Sequence, residues 1–123
     1  MTDQPLTAYA KGVMGETAAC QYLMHKGMQP VQRRYHSPYG EVDLIMLDGE
    51  TLVFVEVKAR ERLSPAEAQQ SVTPAKQRRL IASARCYLGL HPEHARRMIR
   101  FDVVTATQMG IHHLANAFQG NEW

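Results

Sequence analysis

Two apolar segments, residues 40–47 and 50–59, flank the dipeptide Asp48-Gly49, and this arrangement constrains the fold more than any other part of the chain. Both segments are rich in Val, Ile and Leu, and Asp-Gly is a strong signal for a two-residue turn between antiparallel strands. The sequence therefore predicts a β-hairpin.

Carboxylates interrupt the apolar pattern of this hairpin. The turn predicts a register in which Leu47 pairs with Glu50, so that Asp43 lies opposite Phe54. Because side chains alternate between the faces of a strand, Asp43 and Glu56 are expected on one face as diagonal neighbours, about 5 to 8 Å apart.

Two carboxylates in an apolar hairpin need a physical reason. Like charges about 5 Å apart repel by roughly 3 kcal/mol at an effective dielectric near 20, and burial adds a desolvation cost. A hard cation such as Mg²⁺ or Mn²⁺ relieves the repulsion, since it binds one or two carboxylates and completes its shell with water. We expect Asp43, Glu56 and the backbone carbonyl of Val57 to hold it, with Lys58 beside them to stabilise charge developing on a phosphate. The alternative is a structural Glu56–Lys58 ion pair, with Asp43 in solvent.

Helical patterns lie on both sides of the hairpin. The segment from Thr7 to Lys26 predicts a helix with Glu16 in its apolar face, and Glu16 reaches the site if that helix packs on the same face of the sheet. Ser64 and Thr73 are predicted to cap a short helix and a longer one.

Further strands are expected before and after these helices. Residues 28–36 predict a first strand, residues 97–107 alternate as a half-buried strand does, and residues 111–123 predict a short strand and a tail. This order predicts an α/β fold with a mixed sheet flanked by helices. At 123 residues we expect a single domain, residues 1–123, with flexible tails at 1–6 and 119–123.

The charge of the chain is unevenly distributed. Residues 1–57 hold 4 Lys/Arg and 7 Asp/Glu, residues 58–100 hold 10 and 3, and residues 101–123 hold none and 2. A basic segment beside an acidic cluster predicts a protein that binds a polyanion and holds a cation near it, the alternative being a solvated basic helix face. Lys76, Arg79 and Arg60 in this segment are the expected nucleic-acid contacts.

Location and other metal sites follow from smaller features. Cys20 and Cys86 are far apart in helical segments, which excludes a disulfide framework and favours a reducing cytoplasm. The sequence contains no apolar run long enough for a membrane span. The pairs His91/His94 and His112/His113 are interpreted as surface or turn histidines rather than as metal ligands.

The segments "GETAACQYL", "GEVDLI", "VFVEVKAR", "SVTPAKQRRLIASARCYL", "RFDVV" and "NAF" resemble the YraN-like family of small uncharacterised bacterial proteins over about residues 8–118. That family is assigned to the restriction-endonuclease-like PD-(D/E)XK superfamily, which includes archaeal Holliday-junction resolvases. The resemblance implies an αβββαβ core and a phosphodiesterase site that depends on Mg²⁺ or Mn²⁺. His36 departs from the Arg that relatives often carry after the aromatic residue.

By the same resemblance, Asp43 and Glu56 are metal ligands, Lys58 is the catalytic lysine, Glu16 is the helical acidic residue, and Lys76 supports the site or a phosphate. We therefore expect a metal-dependent nuclease acting on DNA rather than RNA, with branched or single-stranded DNA as candidate substrates. The alternatives are a non-catalytic nucleic-acid-binding module of the same fold and a scaffold protein. The oligomeric state stays open, and a homodimer is one option.

Overall fold

The computed structural model describes residues 8–119, with side chains for all of these except residues 8–14 and Pro65. The expected cap Thr7 and the expected tails therefore lie outside the described residues, apart from residue 119. The elements are α1 (Ala8–His25), β1 (Gln29–Ser37), β2 (Gly40–Asp48), β3 (Thr51–Ala59), α2 (Pro65–Ser71), α3 (Pro74–Leu90), a 3₁₀ turn (Pro92–His94), β4 (Ile99–Thr107) and β5 (Gly110–Phe118).

The strands form one mixed sheet in the order β1-β2-β3-β4-β5. Strands β3 and β4 are parallel, and the other neighbours are antiparallel. The predicted α/β class and αβββαβ order are confirmed. The final strand is longer than expected, because β5 pairs with β4 from Gly110 to Phe118.

The hairpin between β2 and β3 forms, but its predicted register is wrong. Asp48 pairs with Thr51, so the loop is Gly49-Glu50. Gly49 has φ +60°, and glycine is the residue that a type II′ turn requires at this first loop position. Each residue of β2 therefore lies opposite a partner two positions later in β3 than expected. A shift of two does not by itself change the face on which a side chain lies.

Apolar side chains pack on both faces of the sheet, and each face is covered by a different helix. Leu52 and Phe54 contact the α3 side, with Tyr87 of that helix. Val53 and Val55 contact the α1 side instead. Strand β3 is thus buried on both faces, which explains its nearly continuous apolar sequence.

Both predicted helix caps after the hairpin are present. The Ser64 hydroxyl accepts a hydrogen bond from the N–H of Glu67 at 3.1 Å, and the Glu67 carboxylate accepts one from the N–H of Ser64 at 3.3 Å. The Thr73 hydroxyl accepts a hydrogen bond from the N–H of Lys76 at 3.3 Å, which fixes the first turn of α3.

Both cysteines are free thiols on helices, Cys20 buried and Cys86 half-buried. None of the helices within residues 8–119 is long and apolar enough to cross a membrane.

Candidate metal and nucleic-acid site

The site begins where strands β2 and β3 separate. Their ladder ends at the pair Leu44–Val55, and the same register continued by one residue sets Asp43 opposite Glu56. Beyond that pair, the N–H of Val57 donates a hydrogen bond to the Oδ2 atom of Asp43 at 2.7 Å. This hydrogen bond brings the Asp43 side chain to β3 near Glu56, whose charge acts on the Asp43 carboxyl group, and the expected diagonal pairing rested on the register that the structure corrects.

A local irregularity of β2 directs Asp43 into this opening. In a regular strand, Val42 and Leu44 would share a face, yet Val42 packs on the α3 side and Leu44 on the α1 side. On β1, Arg34 lies between the residues that pair with these two, and it has φ +52°. A left-handed conformation at a non-glycine residue is typical of backbone that is held in place by its surroundings.

One carboxylate oxygen of Glu56 forms ion pairs with two lysines. Its Oε1 atom lies 2.8 Å from the Nζ atom of Lys76 and 3.5 Å from that of Lys58. The side chains of Glu56 and Lys58 are each 9% exposed, whereas that of Lys76 is 31% exposed. The sequence alternative of a Glu56–Lys58 ion pair is thus present in part, but Asp43 does not lie in solvent beside it.

Burial and like charge oppose ionisation of Asp43. Desolvation, followed by the charge of Glu56 and smaller effects of Glu16 and Glu41, raises the pKa of Asp43 from 3.8 to about 7, although the hydrogen bond from Val57 acts in the other direction. Near neutral pH the carboxyl group is therefore close to its midpoint, and a nearby cation would favour its ionised form.

The two lysines differ in how firmly they hold their protons. Burial, together with contact with Lys76, lowers the pKa of Lys58 despite the attraction of Glu56. Burial also disfavours the charge of Lys76, but its hydrogen bonds with Glu56 and Lys58 outweigh that cost and raise its pKa. Lys76 therefore keeps its positive charge to a higher pH than Lys58 does.

Glu16 is placed differently from the expectation. Helix α1 packs on the sheet face opposite to α3, and the Glu16 carboxylate lies 2.8 Å from the Nε atom of Arg34. Its charge still contributes to the raised pKa of Asp43, so the two groups are close. The expected condition that α1 shares the face of Glu56 is not met, and the ion-pair partner of Glu16 is Arg34, which the sequence did not single out.

The donor set suits a hard divalent cation. Asp43 and Glu56 offer carboxylate oxygens from adjacent strands, and the N–H and C=O of one strand residue point the same way, so the Val57 carbonyl faces the Asp43 side. Among the described residues, no group of three or more His, Cys, Asp or Glu side chains could hold a metal. Two carboxylates fit Mg²⁺ or Mn²⁺, which keeps several waters, and do not fit a closed zinc site.

The expected nucleic-acid contacts lie on two sides of this opening. Lys76 and Arg79 of α3 line a cleft of about 220 Å³ together with Gly40 and Glu41 at the start of β2. Arg60 follows β3, and its charge contributes to the lowered pKa of Lys58. A larger cleft of about 600 Å³ lies between the β4–β5 hairpin and residues 62–64, and none of the predicted site residues lines it.

A second charged cluster was missed from the sequence. The Asp102 carboxylate is fully buried and accepts hydrogen bonds from Arg100 at 2.9 and 3.0 Å and from the N–H of Asn116 at 2.9 Å. The Nε2 atom of His113 lies 2.7 Å from the same carboxylate. The interpretation of His113 as a surface residue without an acidic partner is wrong, because β4–β5 pairing brings it to Asp102. The signal in the sequence for this cluster was Asp102, a charged residue inside the apolar strand segment "RFDVV".

The profile described as "Uncharacterised protein family UPF0102" matches residues 15–106, which include Glu16, Asp43, Glu56, Lys58 and Lys76. The chain is 41% identical over 117 residues to a UPF0102 protein of Rhodopseudomonas palustris (strain BisB18), covering 94% of this chain and 85% of the relative. It is 46% identical over 104 residues to one from Nitrosococcus oceani, covering 85% and 84%. A UPF0102 protein of Alcanivorax borkumensis is 48% identical over 89 residues, covering 72% and 71%.

Proposed function

The chain belongs to the uncharacterised protein family UPF0102, and from that premise we propose that it is a Mg²⁺- or Mn²⁺-dependent nuclease of the restriction-endonuclease-like fold that hydrolyses phosphodiester bonds in DNA. The observation that supports this most directly is the meeting of Asp43 and Glu56 at the open end of the β2–β3 pair, with Lys58 beside Glu56. Two buried carboxylates do not stabilise an apolar hairpin, because their charges repel and their burial costs desolvation free energy.

Each residue of the opening has a role in this proposal. Asp43, Glu56 and the Val57 carbonyl hold the divalent cation. A cation held there lowers the pKa of a bound water and withdraws charge from the phosphoryl group. Lys58 presents an ammonium group that stabilises negative charge on the phosphate as it develops. The hydrogen bond from Val57 orients the Asp43 carboxylate, so little reorganisation is needed when substrate binds.

The proposed substrate is DNA rather than RNA, with branched or single-stranded forms as the first candidates. Arg60 and Arg79 flank the opening and supply positive charge for the phosphate backbone. We place the enzyme in the cytoplasm, where thiols such as Cys20 and Cys86 stay reduced.

A nucleic-acid-binding module without turnover is the second candidate. Glu56 already carries Lys58 and Lys76, so the carboxylate is neutralised within the chain. A protein that only binds nucleic acid could use such an ion network to keep its basic side chains in place. The two candidates differ in whether Lys58 affects a rate.

Labelled linear, flapped and four-way DNA, incubated with the protein in Mn²⁺ or in EDTA, tests the proposal. Wild type should cleave only with Mn²⁺, and Lys58→Met should lose about 10²- to 10³-fold in rate, as removal of one transition-state electrostatic group does. The matched control is Arg96→Met, which removes one exposed positive charge before β4, next to the other end of β3.

Equal cleavage rates for wild type and Lys58→Met would assign the activity to another site. If none of the variants cleaves any of these DNAs or single-stranded RNA, yet all of them bind, the binding module becomes the better description. Absence of both cleavage and binding would favour the scaffold alternative.

A further inference from the structure

Lys76 contacts Glu56 and also lines a separate cleft. Its ammonium group lies 2.8 Å from the Oε1 atom of Glu56. The same side chain lines the cleft of about 220 Å³ whose other lining residues are Gly40, Glu41, Arg79, Leu80 and Ser83. Movement of Lys76 away from Glu56 would therefore carry its charge towards the cleft.

The walls of this cleft are held in place by a hydrogen-bonded link between the β1–β2 turn and α3. The hydroxyl of Ser37 donates to the carbonyl of Gly40 at 3.0 Å and lies 2.8 Å from the hydroxyl of Ser83. The N–H of Tyr39 also donates to Ser37, at 3.1 Å. Ser83 is only 1% exposed. These hydrogen bonds therefore fix the shape of the cleft.

The size and charge of the cleft indicate its ligand. Pockets for drug-sized ligands measure about 300–1,000 Å³, so this smaller cleft suits one phosphodiester group and not a whole nucleotide. Lys76 and Arg79 supply two positive charges from one helix face, since they are three residues apart. Glu41 is the acidic residue of the lining, and its carboxylate is 43% exposed and lies 3.9 Å from His36.

We propose that this cleft binds a phosphodiester group of the nucleic-acid strand, and that Lys76 exchanges Glu56 for that phosphate when a divalent cation takes its place on the carboxylate. This inference rests on the proposed function, because it needs the cation site at Asp43 and Glu56. Lys76 is then an internal counter-ion in the cation-free protein and a phosphate ligand in the loaded one.

Lys76 is better placed for this exchange than Lys58. Its side chain is 31% exposed, against 9% for Lys58, which is enclosed within the sheet. Lysine carries its charge on a flexible four-carbon stem. Thr73 fixes the backbone of Lys76 at the first turn of α3, so the exchange requires only a change of side-chain rotamers.

The exchange couples two binding events. If Lys76 occupies Glu56 in the free protein, it competes with the cation, and a phosphate that draws Lys76 away removes that competition. Nucleic acid should then raise the affinity for the cation, and the cation should raise the affinity for nucleic acid by the same factor. Couplings of this kind typically amount to about 5- to 150-fold.

The first test measures Mn²⁺ affinity by calorimetry in the absence of nucleic acid. Lys76→Gln should bind Mn²⁺ at least about fivefold more tightly than wild type, because the competing charge is gone. Lys76→Arg keeps that charge and should remain within about twofold of wild type. Arg79→Gln, which removes a charge from the cleft but not from Glu56, should also remain within about twofold. Circular dichroism verifies that each variant is folded.

The second test adds a short thymidine oligonucleotide in a Lys58→Met background, so that the strand stays intact. The oligonucleotide should raise Mn²⁺ affinity at least about fivefold, and a methylphosphonate strand of the same length, which lacks the phosphate charge, should not. Adding Lys76→Gln should abolish the coupling.

The outcomes separate this inference from the proposed function. If Mn²⁺ binds wild type but Lys76→Gln binds it equally or more weakly, the exchange is wrong and the cation site stands. If the phosphodiester and methylphosphonate strands have the same effect, the phosphate site in the cleft is wrong. If neither wild type nor Lys76→Gln binds Mn²⁺, the proposed function and this inference both fail.

Discussion

The N–H of Val57 donates a hydrogen bond of 2.7 Å to the side chain of Asp43, at the point where the backbone pairing of β2 with β3 has ended. The Asp43 carboxylate thus accepts the kind of hydrogen bond that a backbone carbonyl of β2 accepts elsewhere in the hairpin. The contact satisfies a backbone donor that is partly buried. It also holds a carboxylate opposite Glu56, where burial and like charge disfavour its ionisation.

Asp43→Asn should stabilise the protein at pH 8 in the absence of divalent cations, by about 3–4 kcal/mol. The unfolded chain releases the Asp43 proton near its ordinary pKa of 3.8, while the folded protein retains it up to a pKa of about 7. Stability is therefore lost as pH rises between these values, and asparagine removes that loss while keeping an oxygen for the Val57 N–H. Thermal unfolding at pH 4 and pH 8 measures the difference, which should be small at pH 4.

Asp48→Asn is the matched control for this variant, since Asp48 lies at the other end of β2 and is 42% exposed. It should show no gain at pH 8. A lower melting temperature for Asp43→Asn than for wild type at pH 8 would contradict the argument. Calorimetry should also show that Asp43→Asn no longer binds Mn²⁺, because one of the two carboxylates is lost.

DNA binding should be independent of sequence and strongly dependent on salt. Residues 58–100 carry a net charge of +7, and neutralising about five phosphates predicts a fall in affinity of two to three orders of magnitude between about 50 and 200 mM NaCl. Fluorescence anisotropy with unrelated duplexes measures this. Arg79→Gln should reduce the logarithmic salt slope by about 1, and Arg96→Gln should leave it unchanged. A flat salt dependence for wild type would remove the polyanion hypothesis.

Gly15→Ala should destabilise the protein by about 1–3 kcal/mol, the usual cost of overpacking. A Cβ atom at Gly15 would lie 2.6 Å from the Cβ atom of Ala59, a short side chain that has no room to rotate away. Urea unfolding gives the free energy directly. The control is Gly89→Ala in α3, where nothing lies within 4 Å of the added atom, so the variant should be neutral or slightly more stable. If Gly15→Ala leaves the free energy of unfolding as little changed as Gly89→Ala does, the overpacking argument is wrong, because α1 then moves away from β3 without a measurable loss of stability.

Asp102→Asn should cost about 3 kcal/mol at pH 7, because it breaks a buried charge network. Burial alone would raise the pKa of Asp102, but hydrogen bonds from His113, Arg100 and Asn116 outweigh it and hold the pKa below 3.8. The stabilisation is therefore present above pH 3.8 and is lost as pH falls through the lower folded value.

Chemical denaturation at pH 7 and at progressively lower pH tests the Asp102 network. The deficit of Asp102→Asn should shrink as the solution becomes more acidic. Asp48→Asn, which removes the exposed partner of Arg100, should cost no more than about 1 kcal/mol. A deficit of Asp102→Asn that stays constant down to pH 2 would assign the effect to packing and not to charge.

The alternation of side chains along β3 allowed the shared face of Glu56 and Lys58 to be predicted from sequence. The face of Glu56 and Lys58 survives the error in register because the shift is by two residues, whereas Asp43 lies where the alternation of β2 breaks between Val42 and Leu44. The turn residues were less informative, since Gly49 serves as the first loop position and not the second.

Contacts between distant segments were beyond the reach of sequence periodicity. The face chosen by α1, and hence the pairing of Glu16 with Arg34, depends on how the helix crosses the sheet. The partnership of Asp102 with His113 arises from the register of β4 with β5, which has a bulge between Phe101 and Val103.

The residues of the candidate site come together over very different separations in the sequence. A hairpin with a two-residue loop brings Asp43 to Glu56, and hairpins form in about 1–10 μs. Lys76 arrives only when α3 docks on the sheet. During folding the acidic pair should therefore have Lys58, which belongs to β3 itself, before it has Lys76, and in that interval a divalent cation would bind Glu56 without competition from Lys76.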